Sequence, residues 1–296
     1  MAKRDDAAEV AGVRLTHPER VLDAESRLTK LQLARYYAAV AEAMLPHVVG
    51  RPLSLVRCPE GSDAPCFYQR HAGGGLPEGV VGVPVKSKTS GKTEQYITVE
   101  DAKGLVGLAQ MGVLEVHPWG ARSDALETPD RLIFDLDPGE GIAWEQLVES
   151  AAEIRELLKG YDLESFVKWT GGKGLHVVAP IEPEHRWDMV LEFARDVARG
   201  MEARRPELYL TKAKKTAREE KIFLDYLRNE RGGTVVAPYS PRARKGAHVA
   251  MPLRWEELET LGRPEFAVAN FAEWKARLRS DPWKRMGKLR QRLRIV

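Results

Sequence analysis

The sequence predicts a mixed α/β (α+β) protein whose strands are joined mainly by hairpins, not a repeating strand–helix–strand array. Three observations carry this. Short apolar runs bounded by turn residues alternate with longer stretches of helical periodicity. Two of the runs, RLIFDLD (131–137) and KIFLD (221–225), end in acids. Two others, SFVKW and GLHVVAP, flank the glycine turn Thr170-Gly171-Gly172-Lys173-Gly174.

The elements follow in order. LTKLQLARYYAAVAEAMLPHV (28–48) has helical spacing and is expected to stop near Pro46. RPLSLVR (51–57) and CFYQRH (66–71) read as strands around a turn. HAGGGLPEGVVG and KSKTSGKT read as loops rich in glycine, proline and lysine. EQYITVE (94–100) is a strand, KGLVGLAQMG a helix, and VLEVHPW a strand ending at His117-Pro118. After RLIFDLD comes an amphipathic helix at 143–160 with glycine at its end. The glycine hairpin follows, then a helix at 186–204. KIFLDYL (221–227) and TVVAPY (234–239) are expected strands, and two short helices finish the chain.

Composition narrows the function. The 296 residues suffice for a large core or two joined lobes, and 43% apolar with 30% charged residues is ordinary for a globular protein. No apolar run approaches the roughly 18 residues of a membrane span. The opening MAKRDDAAEV lacks a signal-peptide apolar core and reads as a flexible tail over residues 1–10. Cys58 and Cys66 form no CxxC pair, so neither a zinc site nor a disulfide framework is expected, and a reducing cytoplasm fits. Charge is uneven. Residues 201–296 hold 23 Lys/Arg against 12 Asp/Glu, whereas residues 1–200 hold 23 against 31. The basic runs TKAKKTAR (211–218) and KARLRSDPWKRMGKLRQRLR point to a nucleic-acid partner.

Asp135 and Asp137 lie two apart on a strand, so they face the same way, about 7 Å apart at ~3.3 Å per residue. Two carboxylates so placed repel unless a cation sits between them, and hard Mg²⁺ or Mn²⁺ takes carboxylate oxygens. The plainer alternative is a strand end whose acids cap the Pro138-Gly139 turn. Asp225 ends a second apolar strand, and three such acids can hold two divalent ions. Around the glycine turn, Thr170, the Gly172 backbone, Lys173 and His176 offer donors suited to phosphate oxygens. A glycine hairpin with a surface lysine is the alternative. SGKT (90–93) ends like a phosphate-binding loop, but Lys86 stands where that motif needs glycine, so the segment reads as a basic loop. Arg242 and Arg244 suit phosphate clamping, and Phe67-Tyr68 beside Gln69-Arg70 suits base stacking. His117 before a proline is equally often structural.

In this order, LIFDLDPGEG, TGGKGLHV, KIFLDYLRN and APYSPRAR resemble the polymerase domain of bacterial ATP-dependent DNA ligase D, in the archaeo-eukaryotic primase superfamily. RVL, RYY, GRPLSLVRCPEG, FYQRH and LEVHPW extend the likeness over roughly residues 10–280. The resemblance implies a primase-like fold, with an RRM-like antiparallel catalytic sheet and an accompanying α/β lobe. One composite domain over 11–296 would then have lobes at about 11–120 and 121–250 and basic helices at about 251–296. It implies template-dependent nucleotide addition to 3′ ends at gaps and double-strand breaks in non-homologous end joining, with ribonucleotides and Mn²⁺ preferred. NTP or dNTP would be the substrate, Mn²⁺ or Mg²⁺ the ions, and DNA with a gap or overhang and a 5′-phosphate the partner, beside Ku and an ATP-dependent ligase. Asp135, Asp137 and Asp225 would be metal ligands. Thr170, Gly172, Lys173, His176 and Arg242 would hold the triphosphate, with His117, Phe67 and Tyr68 at the nucleotide. Arg20, Lys30, Arg57, Lys86, Lys88, Lys92 and Arg244 would meet DNA. Thr170 stands where the family usually has serine, and Tyr68 where a second phenylalanine is common. No KxDG lysine motif of an adenylating ligase and no nuclease region is found, so nick sealing is not expected. A phosphatase of the haloacid dehalogenase type also starts from D-x-D, but its motif lies near the N-terminus and has a later acid cluster. A non-catalytic end-bridging module would explain the basic half but not three acids at strand ends.

Overall fold

The computed structural model describes residues 8–212 and 218–295. Most of the basic run at 211–218 lies outside them. The chain divides into two compact units. The first takes the described residues up to Trp119 with Val236–Ala250 and Phe266–Ser280; the second takes Gly120–Val235, Met251–Glu265 and the described residues from Asp281. Residues Val236–Ala250 and Phe266–Ser280 thus group with the first unit and not with the sheet that carries Asp135. Among the described residues no helix is long and apolar enough to cross a membrane.

In the first unit, β1 (Ala8–Val10) pairs antiparallel with β2 (Val13–Leu15). Residues 8–10 are therefore strand, not the end of a tail. Ala11 and Gly12 both take positive φ between them, as a tight hairpin turn requires. β3 (Val21–Asp23) pairs with β4 (Leu28–Thr29). Helix α1 (Lys30–Val48) opens on a capping box. The Thr29 hydroxyl accepts from the Gln32 amide, and the Gln32 side chain accepts from the Thr29 amide. It ends at Val48, near Pro46 as expected. A sheet of β6 (Phe67–Gln69), β5 (Leu53–Arg57) and β9 (Val113–Pro118) has β5 in the middle. The stretches read as loops, 71–82 and 86–93, take in both ends of β7 (Val80–Lys86), which pairs along its whole length with β8 (Thr93–Val99). Gly82 and Pro84 disguised it, and β7 tolerates both because it is an edge strand, paired with β8 alone among the described strands. Helix α2 (Ala102–Gln110) packs against α1.

Cys58 and Cys66 are joined by a disulfide, which corrects the expectation of none. Cys58 follows the end of β5 and Cys66 precedes β6, so strand pairing itself brings their Cα atoms to 4.5 Å. TVVAPY forms no strand either. Its backbone is used singly: the Ala237 amide donates to Val116 O at 2.8 Å, and Tyr239 O accepts from the Tyr36 hydroxyl at 2.7 Å.

The second unit is built on six strands: β10 (Arg131–Pro138), β11 (Phe166–Trp169), β12 (Leu175–Pro180), β13 (Tyr209–Leu210), β14 (Ile222–Asp225) and β15 (Met251–Leu253). Their order is β13-β14-β10-β12-β11-β15, antiparallel except for β13–β14. Helices α3 (Trp144–Lys159) and α4 (Trp187–Arg204) pack on the central strands. Alternation sorts the side chains. Leu132, Phe134, Leu136, Leu175, Val177 and Leu224 occupy one face and are buried. On the other face Ile133, Val178 and Phe166 lie abreast and pack under Val235, Trp283 and Met286.

β10 pairs with β14 only from Asp135 onward, which leaves one edge of Ile133 without a strand. Asn229 takes the strand's place. Its side chain accepts from the Ile133 amide at 2.9 Å and donates to the Ile133 carbonyl at 2.7 Å, with all of these groups buried. A second amide hydrogen reaches Tyr226 O at 2.9 Å. Removing the side chain strands a buried donor and acceptor, each costing about 1–3 kcal/mol. Asn229→Ala is expected to lower the unfolding free energy by about 2–4 kcal/mol in urea titration. A loss below about 0.5 kcal/mol would show that the pairing carries no weight.

Candidate active site

Two residues beyond the apolar row Ile133–Val178–Phe166, the same sheet face becomes charged. Lys168, His176, Asp135 and Asp225 stand directly opposite one another across β11, β12, β10 and β14. All four are buried. Asp137 lies on the same face one period further along, opposite Phe223, and its side chain is 44% exposed. The three acids singled out in the sequence are thus brought to one patch.

A guanidinium lies among them. Arg228 Nε is 3.1 Å from Asp135 Oδ2 and its Nη2 is 3.0 Å from Asp225 Oδ2. His176 Nε2 is 3.2 Å from Asp135 Oδ1. Arg218 stacks on the Phe223 ring at 4.0 Å and reaches Asp137 Oδ2 at 3.7 Å. The electrostatics follow. Burial would raise the Asp135 carboxyl, but His176 and Arg228 hold it well below the usual carboxylate range. Asp137 is pushed up to about 6, by burial first and then by the Asp135 charge, against Arg228 and Arg218. Asp225 is raised by burial and by Asp135. His176 is lowered to about 4, by burial and then by Lys168. It is therefore neutral at pH 7. With Nε2–H turned to Asp135, its buried Nδ1 has no hydrogen-bond partner.

Whether this patch suits a divalent ion depends on its donors. They are carboxylate oxygens, the kind hard cations take, and two of the three have their charged form disfavoured by burial and then by the Asp135 charge. A cation would relieve both. As the side chains stand, no three His, Cys, Asp or Glu among the described residues are gathered around one ion position, and Arg228 supplies the positive charge instead.

The glycine turn sits at the end of the same sheet. Thr170 Oγ1 donates to Gly174 O at 3.0 Å, its amide donates to the same oxygen at 3.1 Å, and Trp169 Nε1 donates to Gly172 O at 2.9 Å. Gly174 is forced: a Cβ there would meet Leu136 O at 2.4 Å. Lys173 is exposed at the tip.

The other residues assigned to the nucleotide fall in the first unit. On β9, Glu115 and His117 share a face, and Glu115 Oε2 lies 2.7 Å from His117 Nε2. Glu115 Oε1 accepts from the Ala243 amide at 2.8 Å and pairs with Arg242 Nε at 3.1 Å. Phe67 and Tyr68 are exposed, 47% and 69%, with Arg57 over the Phe67 ring at 5.3 Å. Of the residues assigned to DNA, Lys86, Lys88 and Lys92 are exposed at the β7–β8 end and Arg244 is exposed on its loop. Arg20 is turned to Pro59 O and Glu60, both at 2.9 Å. Arg57 donates to Met111 O and Gln69. Lys30 is buried, with Nζ donating to Thr16 O at 2.9 Å, so its amine is engaged within the protein.

Sequence reasoning missed Lys168, Arg228 and Glu115. Arg228 stands three after Asp225, and Glu115 two before His117. Each spacing was readable, but a lone charge beside an identified residue carries no signal without the pairing partner.

Glu115 generates a pH prediction. Burial opposes its charge, yet the His117 bond and Arg242 bring it down from 4.5 to about 2. A folded-state pKa below the unfolded one stabilises the protein above about pH 4.5, and the stabilisation is lost as pH falls toward 2. The shift corresponds to about 3 kcal/mol. Glu115→Gln should flatten the pH dependence of unfolding free energy between pH 5 and 2 relative to wild type. An identical slope in the two proteins would remove Glu115 from the acid transition.

The model for the family "LigD, primase-polymerase domain" matches residues 29–283. The multifunctional non-homologous end joining protein LigD of Pseudomonas aeruginosa is 36% identical over 288 residues, 97% of this chain and 34% of that protein. Its counterpart in Mycolicibacterium smegmatis is 37% identical over 270 residues, 90% of this chain and 34% of that one. The chain thus spans about a third of the length of these curated relatives. Among solved structures, the polymerase domain of Mycobacterium tuberculosis ligase D in complex with DNA superposes with a TM-score of 0.86 at 32% identity, covering 93% of this chain and 98% of that one. With the model matching most of its length and these identities sustained across it, the chain belongs to the LigD primase-polymerase domain family, a family of nucleotidyltransferases.

Proposed function

We propose that this chain is a template-dependent polymerase that adds nucleotides, ribonucleotides by preference, to 3′ ends at gaps and double-strand breaks in end joining. The observation that carries it is the row of Asp135 and Asp225 with Asp137 on one sheet face, at the end of which the glycine turn exposes Lys173. Family membership implies a nucleotide substrate and divalent metal; a pair of ions, with Mn²⁺ preferred, is the finer reading. Asp135, Asp137 and Asp225 would hold them. Bound there, the ions would lower the pKa of the primer 3′ hydroxyl and offset charge on the phosphates.

The chain's own residues do the rest. The β10, β12 and β14 registers set the three acids on one sheet face in advance, so ion binding calls for side-chain movement around Arg228 and no change of strand pairing. Lys173, exposed at the turn, supplies a point charge for the triphosphate. Thr170 keeps its turn closed, with hydroxyl and amide both donating to Gly174 O. Its hydroxyl would reach a phosphate only by giving up that bond, and the Gly172 backbone beside Lys173 is the other turn group assigned to the triphosphate. Neutral His176 orients Asp135 through Nε2, and it would donate to a phosphate only when protonated. In the first unit, Glu115 holds His117 and Arg242 in fixed orientations. Phe67 and Tyr68 offer exposed rings to bases. Lys86, Lys88, Lys92 and Arg244 meet DNA phosphates, with Arg20, Arg57 and Lys30 nearer the protein surface or interior. Ku and an ATP-dependent ligase are the expected partners, in the same polypeptide or as separate chains.

The decisive experiment is primer extension on one-nucleotide gapped DNA carrying a downstream 5′-phosphate, with Mn²⁺ and NTP or dNTP. Asp135→Asn and Asp137→Asn should each abolish addition, by 10³-fold or more on the scale of removing essential charge stabilisation, while gapped DNA is still bound. Extension retained by either purified variant sinks the assignment. DNA bound by a wild-type chain that adds nothing would favour an end-bridging module. DNA affinity should also fall steeply with salt. Replacing Lys86, Lys88 and Lys92 together by alanine should reduce the log–log slope by about 2–3, close to 0.9 for each phosphate that is no longer neutralised. A slope unchanged from wild type would place DNA elsewhere.

A further inference from the structure

Among the described residues, Arg228 is the cation that touches two of the acids at once. Its guanidinium spans from Asp135 Oδ2 to Asp225 Oδ2 at 3.1 and 3.0 Å. Those carboxylates are about nine-tenths buried, but the arginine side chain is 38% exposed. It enters the patch from its solvent side. The backbone beneath it is anchored independently. Asp225 Oδ1 accepts from the Leu227 amide at 3.0 Å, and Asn229 is fastened to Ile133. The side chain can therefore rotate away while the turn at 227–229 keeps its place.

We propose that Arg228 is a positioning residue that acts as the resident counter-ion of the metal-free site and competes with the divalent ion for Asp135 and Asp225. This rests on reading those acids as ion ligands. A guanidinium and a metal ion exclude each other here, because they cannot use the same carboxylate lone pairs and two cations packed together repel. Ion loading then requires the two arginine contacts to open. If the open arrangement is populated about a tenth of the time, the apparent ion affinity falls about tenfold from its intrinsic value. Without either cation, three acids on one buried face repel one another. Arg228 thus keeps the folded site intact when no ion is present, at the cost of weaker ion binding.

The test uses the whole chain without nucleotide or DNA. Mn²⁺ binding is measured from the paramagnetic resonance signal of free Mn²⁺, and melting is followed in chelator and in Mn²⁺. Arg228→Met should bind Mn²⁺ about tenfold more tightly than wild type. It should melt about 2–4 °C lower in chelator, with Mn²⁺ restoring more of its stability than it does in wild type. Arg228→Lys, which keeps the charge but loses the two-point fork, should fall between the two and serves if the methionine variant does not fold. Mn²⁺ affinity that is equal to or weaker than wild type in these variants overturns the proposal, provided that wild-type binding is lost in Asp135→Asn. Wild-type Mn²⁺ binding that survives in the Asp135→Asn/Asp225→Asn double variant overturns the ligand reading itself and the proposal with it.

Discussion

Register is the constraint on which the site depends. Asp135 faces His176 on one neighbouring strand and Asp225 on the other, and Lys168 completes the row. Because side chains alternate with a period of two, a slip of one residue in either pairing would turn an acid into the apolar face and a leucine or phenylalanine into the charged one. The slip is opposed from both ends. Leu136, Leu175 and Leu224 fill the face toward the helices, and the Ile133–Val178–Phe166 row is covered by Trp283, whose indole nitrogen donates to Val167 O at 3.0 Å. Hydrophobic burial at one end of the strands thus fixes electrostatics at the other.

Those electrostatics are unevenly shared. Asp135 stays ionised because a histidine and an arginine reach it directly, whereas Asp137, 3.7 Å from Arg218, is pushed toward its neutral form by burial and by the Asp135 charge. The asymmetry arises from position alone: one acid lies within the sheet and the other at its rim. Neighbouring carboxylates on one strand are in this way given different protonation tendencies by the strands beside them.

Much of this was legible in the sequence, for physical reasons. Alternation alone placed Asp135 and Asp137 on one side, and an apolar run ending in acid identified Asp225. The glycine turn was readable because its residues have no other use in a strand, and Gly174 indeed has no room for a side chain. What escaped depended on pairing across the chain. Arg228 and Glu115 matter through partners 93 and 128 residues away, in Asp135 and the Ala243 amide. β7 was hidden by a glycine and a proline that an edge tolerates. The link between Cys58 and Cys66 follows from the β5–β6 pairing, which cysteine spacing does not reveal. TVVAPY had strand composition but no neighbouring strand to receive it.

The stretch from Asp225 to Asn229 holds three tasks in five residues. One residue is a candidate ion ligand, the fourth is its counter-charge, and the fifth completes the hydrogen bonding of β10. Asp225 closes β14, and a turn of 3₁₀ geometry over Leu227–Asn229 aims the other two. Its length is therefore as constrained as its chemistry. Inserting or deleting one residue would rotate Arg228 and Asn229 away from their partners together, whereas substitutions can alter them one at a time. This segment can diverge by exchange of letters but not by change of spacing, and any circular permutation or tag insertion has to be placed elsewhere.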